Sequence, residues 1–290
     1  MADQFAERWL ALREPADARA RDAALAAQLI ELLPARPRIV DLGAGTGSLF
    51  RWLAPQIARP QAWTLVDNDA ALVERSFDVI AGWAEWHGLR VSAPNKRVLL
   101  VHTPAGAWRV EGLIADLADA PEWLARREAD AVTASALLDL VSDIWVEDLA
   151  DVLQVPFYST LDVSGAARFL PPIAGDAAVA RGFRRDQRRD KGFEGAALGP
   201  EATRVAATIF RARGFAVRRA PSPWQLGRGE ASLLAELVEG HATAAAPHLP
   251  RTAAAVQAWR ASRLESLRRG RLRARVPHGD LLALPPEHAA

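Results

Sequence analysis

The sequence predicts an α/β fold of three layers: a doubly wound, mostly parallel sheet with helices on both faces. Three observations carry this. From residue 38 onward, short apolar runs alternate with stretches of helical spacing, the order that builds parallel strands joined by crossover helices. The chain has 290 residues, 50% of them hydrophobic and 24% charged, enough to bury one large core. A glycine-rich turn directly follows the first apolar run.

Residues 1–33 read as a helical cap, with Leu25, Leu29, Leu32 and Leu33 on one face and Pro34 and Pro37 as its stop. Arg38 to Leu42 is the first strand, and it runs into Gly43-Ala44-Gly45-Thr46-Gly47. The helix that begins at Ser48 puts Leu49, Leu53 and Ile57 on one face. A second strand, 62–66, ends at Asp67-Asn68-Asp69 before a long helix bearing Leu72, Ile80 and Trp83. Runs 97–103 and 108–115 form a hairpin around Pro104-Ala105-Gly106-Ala107, and its second arm is the third parallel strand, ending at Asp116-Leu117. The fourth strand is 130–135, and Ser142 is placed to cap the helix that follows. The fifth is 155–163. Residues 164–199 are read as an insert carrying a charged loop, and Pro200 to Arg213 returns to helical spacing with Gly214 as its stop. Phe215 opens a sixth strand, and a helical insert, 228–271, precedes a late strand over 272–284. The whole, 1–290, is expected to be a single domain.

Composition removes several chemistries. With no Cys there are no disulfides, no thiolate zinc site and no cysteine nucleophile. The six His, at 87, 102, 241, 248, 278 and 288, show no ligand spacing and read as surface or loop residues, so no metal is expected. A net charge of +1 gives no global pull toward nucleic acid or membrane. No apolar stretch approaches the ~18 residues of a membrane span, and Met1 to Glu7 lack the pattern of a signal peptide, so a soluble, cytoplasmic protein is expected. All but two of the 36 basic residues are Arg, the exceptions being Lys96 and Lys191. With the abundant Ala, this reads as the coding bias of a GC-rich, bacterial genome, and it lowers the weight of any Arg run.

The glycine turn is sharper than a lone G-x-G. Glycines at 43, 45 and 47 let the backbone approach a ligand at a helix N-terminus, and Asp41 precedes them on the strand. Dinucleotide-binding turns favour an apolar residue there, whereas an acid suits a cationic ligand. Asp67 closes the second strand, where a carboxylate can accept from both hydroxyls of a ribose.

On these residues the chain resembles the class I S-adenosylmethionine-dependent methyltransferases. Val40 to Gly47 matches their first motif, Leu65-Val66-Asp67 their ribose-binding strand end, Asp116-Leu117 the place of adenine contact, and Ala134 to Asp139 the pocket floor after the fourth strand. The resemblance implies a Rossmann-like sheet of seven strands, six parallel and the last antiparallel, with S-adenosyl-L-methionine as cofactor. It places that cofactor on Asp41, Gly43, Ala44, Gly45, Gly47, Asp67, Asn68, Asp116, Leu117 and Ser135. Methyl transfer is an in-line displacement, so alignment and exclusion of water are most of the work, helped by a base within reach of the acceptor. Asp139 and Tyr158 are the candidates, with an N-terminal helix charge as the alternative for Asp139 and a half-buried strand position for Tyr158.

For the acceptor, the candidates are Arg8 and Trp9 (with Arg13-Glu14-Pro15 beside them), Trp145, and Arg185 and Arg188 of the insert, whose segment 181–191 holds six basic and two acidic residues. Arg forks suit carboxylate or phosphate, so a small-molecule acceptor, anionic in character, is expected. Trp259 to Arg275 holds seven Arg and one acid, which reads as a solvated helix more readily than as an RNA face. A methyltransferase acting on RNA or protein, or a cofactor-binding scaffold without catalysis, are the alternatives. The oligomeric state is not legible.

Overall fold

Two helices precede the first strand, α1 (Ala2–Ala20) and α2 (Ala23–Leu32), where the sequence suggested one. The computed structural model describes residues 2–249 and 253–286, with side chains from Glu7 onward. The break falls at Arg21 because Asp22 caps α2, its carboxylate accepting from the Leu25 amide at 2.8 Å. There follow β1 (Arg38–Leu42), α3 (Ser48–Ile57), β2 (Gln61–Asp67), α4 (Ala70–Trp86), β3 (Arg90–Asn95), β4 (Val98–Thr103), β5 (Gly106–Ile114), α5 (Ala120–Leu124), β6 (Ala131–Ser135), α6 (Asp143–Val152) and β7 (Phe157–Val163). The remainder is β8 (Arg168–Leu170), α7 (Asp176–Gln187), α8 (Ala202–Ala212), β9 (Ala216–Pro221), β10 (Trp224–Leu226), α9 (Ala231–Ala245), α10 (Ala253–Arg268), β11 (Arg273–Val276) and β12 (His278–Leu284).

The main sheet has the order β3-β4-β5-β2-β1-β6-β7-β12-β9. β5, β2, β1, β6 and β7 are parallel, and β12 lies antiparallel between β7 and β9. Those strands with β9 are the six-plus-one arrangement expected. Two departures enlarge it. β3 adds a ninth strand outside the hairpin; its exposed residues and Pro94 give no alternating pattern, and an edge tolerates both. The run 272–284 is two strands, because Pro277, with no amide proton for either ladder, stands where the chain changes sheets. β12 joins the main sheet, and β11 the small antiparallel sheet β10-β11-β8. The insert expected to carry a charged loop holds β8 and helix α7 instead.

Three apolar clusters hold the elements. Ile39, Trp63 and Leu65 pack against Leu29, Phe50 and Ile80 of α2, α3 and α4 on one face of the sheet. Val40, Leu42 and Val132 pack against Leu124, Val146 and Phe210 of α5, α6 and α8 on the other. The third cluster joins Ala16 of α1 to Val179, Leu234 and Trp259 of α7, α9 and α10 and to the small sheet. There Gly182 lets α7 approach α9: a Cβ would stand 2.9 Å from the Ala245 carbonyl oxygen. Among the described residues, no helix is long and apolar enough to cross a membrane.

Candidate active site at the strand ends

β1 ends in a loop that only glycine builds without strain: Gly43, Gly45 and Gly47 have φ of +65°, +53° and +78°. The loop is tied to β2. The Ala44 amide donates to the Val66 carbonyl at 3.0 Å, and the Gly45 amide to Asp67 Oδ2 at 2.8 Å. Asp67 Oδ1 accepts from the Asp69 amide at 3.1 Å, which leaves roughly half of the carboxylate's acceptor positions open. Burial pushes its carboxyl up, against the backbone amides that favour the charge. Beneath the loop, Asp41 is buried and accepts from Thr133 Oγ1 at 2.7 Å. Burial raises it to about 7, opposed by that hydrogen bond and by the charge of Arg21.

α1 covers the loop. A Cβ at Gly45 would stand 3.1 Å from Leu10 Cδ1, and Glu14 clasps the buried Arg51 of α3 at 2.8 and 2.6 Å. Arg13, Asp17 and Arg21, four residues apart, form a stripe along the helix and just past its end. Arg13 forks onto Asp17 at 2.8 and 3.3 Å, and Trp224 Nε1 donates to Asp17 at 2.9 Å. Arg21 turns inward. Its Nη2 donates to Ser48 Oγ at 3.1 Å and Ser135 Oγ at 3.2 Å, and its Nε to Thr160 Oγ1 at 3.4 Å. Its Nη1 is buried with no hydrogen-bond partner among the described residues. Burial lowers its basicity. This guanidinium, held by three hydroxyls, keeps one N–H group without an acceptor.

The ends of β6 and β7 are strained and interlocked. Ala136 and Leu161 have left-handed φ of 55° and 60°, unusual for non-glycine residues. The Leu138 amide donates to Asp162 Oδ1 at 2.9 Å, and the Val163 amide to Asp139 Oδ1 at 3.3 Å, so each strand end holds the other's carboxylate. Asp162 is fully buried, takes the Ser159 hydroxyl at 2.6 Å, and is pushed well above the carboxylate range by burial and by Asp139. Asp139 is part-exposed; burial raises it, and the charges of Arg13 and Lys191 oppose the rise. It does not cap a helix: Ser142 does, its Oγ accepting from the Trp145 amide at 3.1 Å. The insert closes on the same loop, with the Gly199 amide on the Asp139 carbonyl at 3.0 Å.

The other expected residues fall in several places. Asn68 is exposed beside Asp67. Asp116 is exposed at the end of β5, its Oδ1 accepting from the Ala118 amide at 3.0 Å. Leu117 is buried near Gly43, and its carbonyl accepts from Trp145 Nε1 at 2.7 Å, which makes Trp145 a strut within the core. Tyr158 is fully buried, its hydroxyl without a partner among the described residues and its phenol pushed well above its ordinary value by burial. Arg8 is exposed and pairs with Glu236 at 3.0 Å, and Trp9 packs against Trp224 with ring centres 6.3 Å apart. Arg185 on α7 and Arg188 just past its end are exposed; among the described residues Arg185 reaches only the His248 carbonyl, at 3.5 Å. His241 and His278 are buried, against the expectation of surface positions, and His288 lies outside the described residues. Asp17, Arg21 and Lys191 also stand at the strand ends, and the sequence pattern alone does not single them out. The four-residue spacing of Arg13, Asp17 and Arg21 reads only as a charged helix stripe, the ordinary spacing of ion pairs such as Arg13 with Asp17.

No family model matches this chain, and no curated protein matches it. Solved structures similar to it in outline include an S-adenosylmethionine-dependent methyltransferase from Thiobacillus denitrificans in complex with S-adenosyl-L-homocysteine (14% identity, 94% of this chain and 96% of that one, TM-score 0.43). Another, from Geobacter sulfurreducens with the same ligand, has 15% identity over 96% and 98% of the two chains and a TM-score of 0.43. A cyclopropane synthase from Mycobacterium tuberculosis has 12% identity over 90% and 83%, with a TM-score of 0.45. These are distant likenesses of fold, and none bears on what this chain acts on.

Proposed function

We propose that this chain, built on the Rossmann-like architecture of the class I S-adenosylmethionine-dependent methyltransferases, transfers a methyl group from S-adenosyl-L-methionine to a small-molecule acceptor. The observation that carries the reading is Arg21 Nη1, a buried cationic donor without an acceptor, standing over the same strand ends as the glycine loop and Asp67. A ligand with a ribose at one end and an amino-acid carboxylate at the other satisfies both. A dinucleotide would instead bring its pyrophosphate to the loop above the Asp41 carboxylate.

When bound, the cofactor supplies an electrophilic methyl on a sulfonium. The open lone pairs of Asp67 receive the ribose hydroxyls, with Asn68 beside them. Arg21 holds the carboxylate, oriented by Ser48, Ser135 and Thr160, and Asp41 favours the cationic end of the ligand. Leu117 near Gly43 covers the base, with Asp116 at the rim, and Leu10 over Gly45 excludes water. Asp139 takes the acceptor's proton, because it is a part-exposed carboxylate at the ends of β6 and β7, held through Oδ1 by the Val163 amide, and burial raises it above the ordinary carboxylate range, which makes it a better base. Tyr158, with its raised phenol, is a support beneath the site. Lys191, whose charge acts on Asp139 and whose Nζ lies 3.9 Å from Asp186 Oδ2, is the cation of the insert that we assign to an anionic group of the acceptor.

Calorimetric titration with S-adenosylhomocysteine tests the reading. The wild-type protein binds it, and Asp67→Ala weakens binding by about 2–3 kcal/mol, the value of hydrogen bonds to a charged group. Equal affinity in the variant would misplace the ribose. Binding of NAD in its stead would remove the reading altogether.

A further inference from the structure

The helical layer holds a cleft that methyl transfer does not use. A cavity of about 310 Å³ opens among β8, α7, α9 and α10, walled by Phe169, Val179, Ala180 and Trp259 and by the ring of His241. A smaller cavity shares Ala166, Ala167, Ala180 and His241 with it. The wall is mostly apolar: of its two charged residues, Arg168 is exposed to solvent, and Asp176 is already bonded by Trp259 Nε1 at 2.7 Å and by Arg263.

His241 is the exception. It is 6% exposed, and its ring stacks on Phe183 with centres 4.0 Å apart and meets the edge of Phe169 at 5.1 Å. Its Nδ1 lies 2.7 Å from the Leu237 carbonyl oxygen, which can only accept, so Nδ1 carries the proton. Burial pulls the imidazole down to about 4, so the ring is neutral and Nε2 is a bare acceptor. That Nε2 is buried with no partner among the described residues. A buried acceptor left unmade costs stability, and in an apolar cavity it selects for a donor. Alanines at 166, 167, 177 and 180 leave the room.

We infer that this cleft binds a neutral, ring-bearing small molecule that presents one hydrogen-bond donor, a phenol or an N–H heterocycle, to His241 Nε2. The aromatic walls take the ring and the histidine takes the donor. This site goes beyond the methyl-transfer reading and does not depend on it.

Calorimetry of the full chain, without cofactor, with β-naphthol and with its methyl ether tests it. The two probes share a ring system, and only the first has a donor. The wild-type protein should bind β-naphthol about tenfold more tightly than the ether, the worth of one buried hydrogen bond. His241→Phe, which keeps an aromatic ring, should equalise the two. Ala180→Leu, which fills the cleft from α7, should abolish both, and it keeps the test decisive should the histidine variant fail to fold. No binding by the wild-type protein, equal affinity for the two probes, or binding untouched by Ala180→Leu would overturn the inference. S-adenosylhomocysteine titrated into the same variants should bind as in wild type, so failure of the cleft and failure of the cofactor reading are seen separately.

Discussion

Of the arginines buried in this molecule, Arg21 and Arg263 are treated differently. Arg263 of α10 lies in the helical layer, fully buried, with Asp176 clasping its Nη2 at 2.5 and 2.6 Å and the Pro171 carbonyl taking Nη1 at 2.7 Å. Its guanidinium also lies 5.4 Å from the Phe169 ring centre, and its Nε has no hydrogen-bond partner among the described residues, so what sets it apart from Arg21 is the carboxylate that neutralises it. Arg21, over the strand ends, is hydrogen-bonded by three hydroxyls and by no carboxylate; its guanidinium lies 5.5 Å from the Trp52 ring centre, and its Nη1 has no hydrogen-bond partner among the described residues. The carboxylates divide the same way. Around Arg263, burial would raise Asp176, but hydrogen bonds from Trp259 and Arg263 outweigh it and hold Asp176 below its ordinary value. At the strand ends Asp41, Asp67, Asp139, Asp162 and Asp280 are all pushed up, with burial the largest cause in each. One region has its charges neutralised by its own fold. The other keeps charges at a cost to stability, as sites awaiting a ligand do.

Removing each arginine should therefore break different things. Arg263→Ala leaves Asp176 without its partner and should cost about 3 kcal/mol in urea unfolding, the lower end for a broken buried pair because Asp176 is part-exposed. S-adenosylhomocysteine affinity should change less than twofold. A loss below about 1 kcal/mol would mean that the pair is no more than a surface contact.

A smaller effect concerns pH. Asp41 is raised in the folded state from the unfolded value of about 4 to about 7. Its contribution is favourable below about 4 and is lost as pH rises toward about 7, above which the full penalty remains. Asp41→Asn should accordingly stabilise the ligand-free protein at pH ~8 and do so less at pH ~5. Asp176 has the opposite sign: its contribution is present above its ordinary value and lost as pH falls through its depressed one. Equal stabilisation by Asp41→Asn at both pH values would show that Asp41 is not protonated on folding.

Much of the frame was legible because it is written locally. The strands from Arg38 onward, the turn at Gly43 to Gly47 and the cap at Ser142 each rest on a few neighbouring residues, and each stands where the sequence indicates. The edge strand β3 was not legible, since an exposed edge imposes no alternation. Nor was the helix α7, whose Arg-rich stretch offers few large apolar residues and is held through Val179, Gly182 and contact with α9. At the candidate site, Asp41 and Asp67 could be found from their place at the ends of strands. Arg21 could not, because what distinguishes it is the company of Ser48, Ser135 and Thr160, brought together only by the fold. Likewise Arg185 and Arg188 drew notice by charge alone, and charge says nothing about which side of a helix faces a site.

The central claim is that Arg21 holds an anion the protein itself does not provide. Arg21→Ala should lower affinity for S-adenosylhomocysteine by ten- to a hundredfold, the range of a charge-assisted hydrogen bond. It should leave unchanged the affinity for methylthioadenosine, which has the same nucleoside and no carboxylate. Stability of the ligand-free variant should hold or rise, since Thr160 Oγ1 already reaches Ser135 Oγ at 3.1 Å and the hydroxyls can satisfy one another. If calorimetry finds the two ligands weakened equally, or neither weakened, Arg21 is not the carboxylate's partner and the account of this site is contradicted.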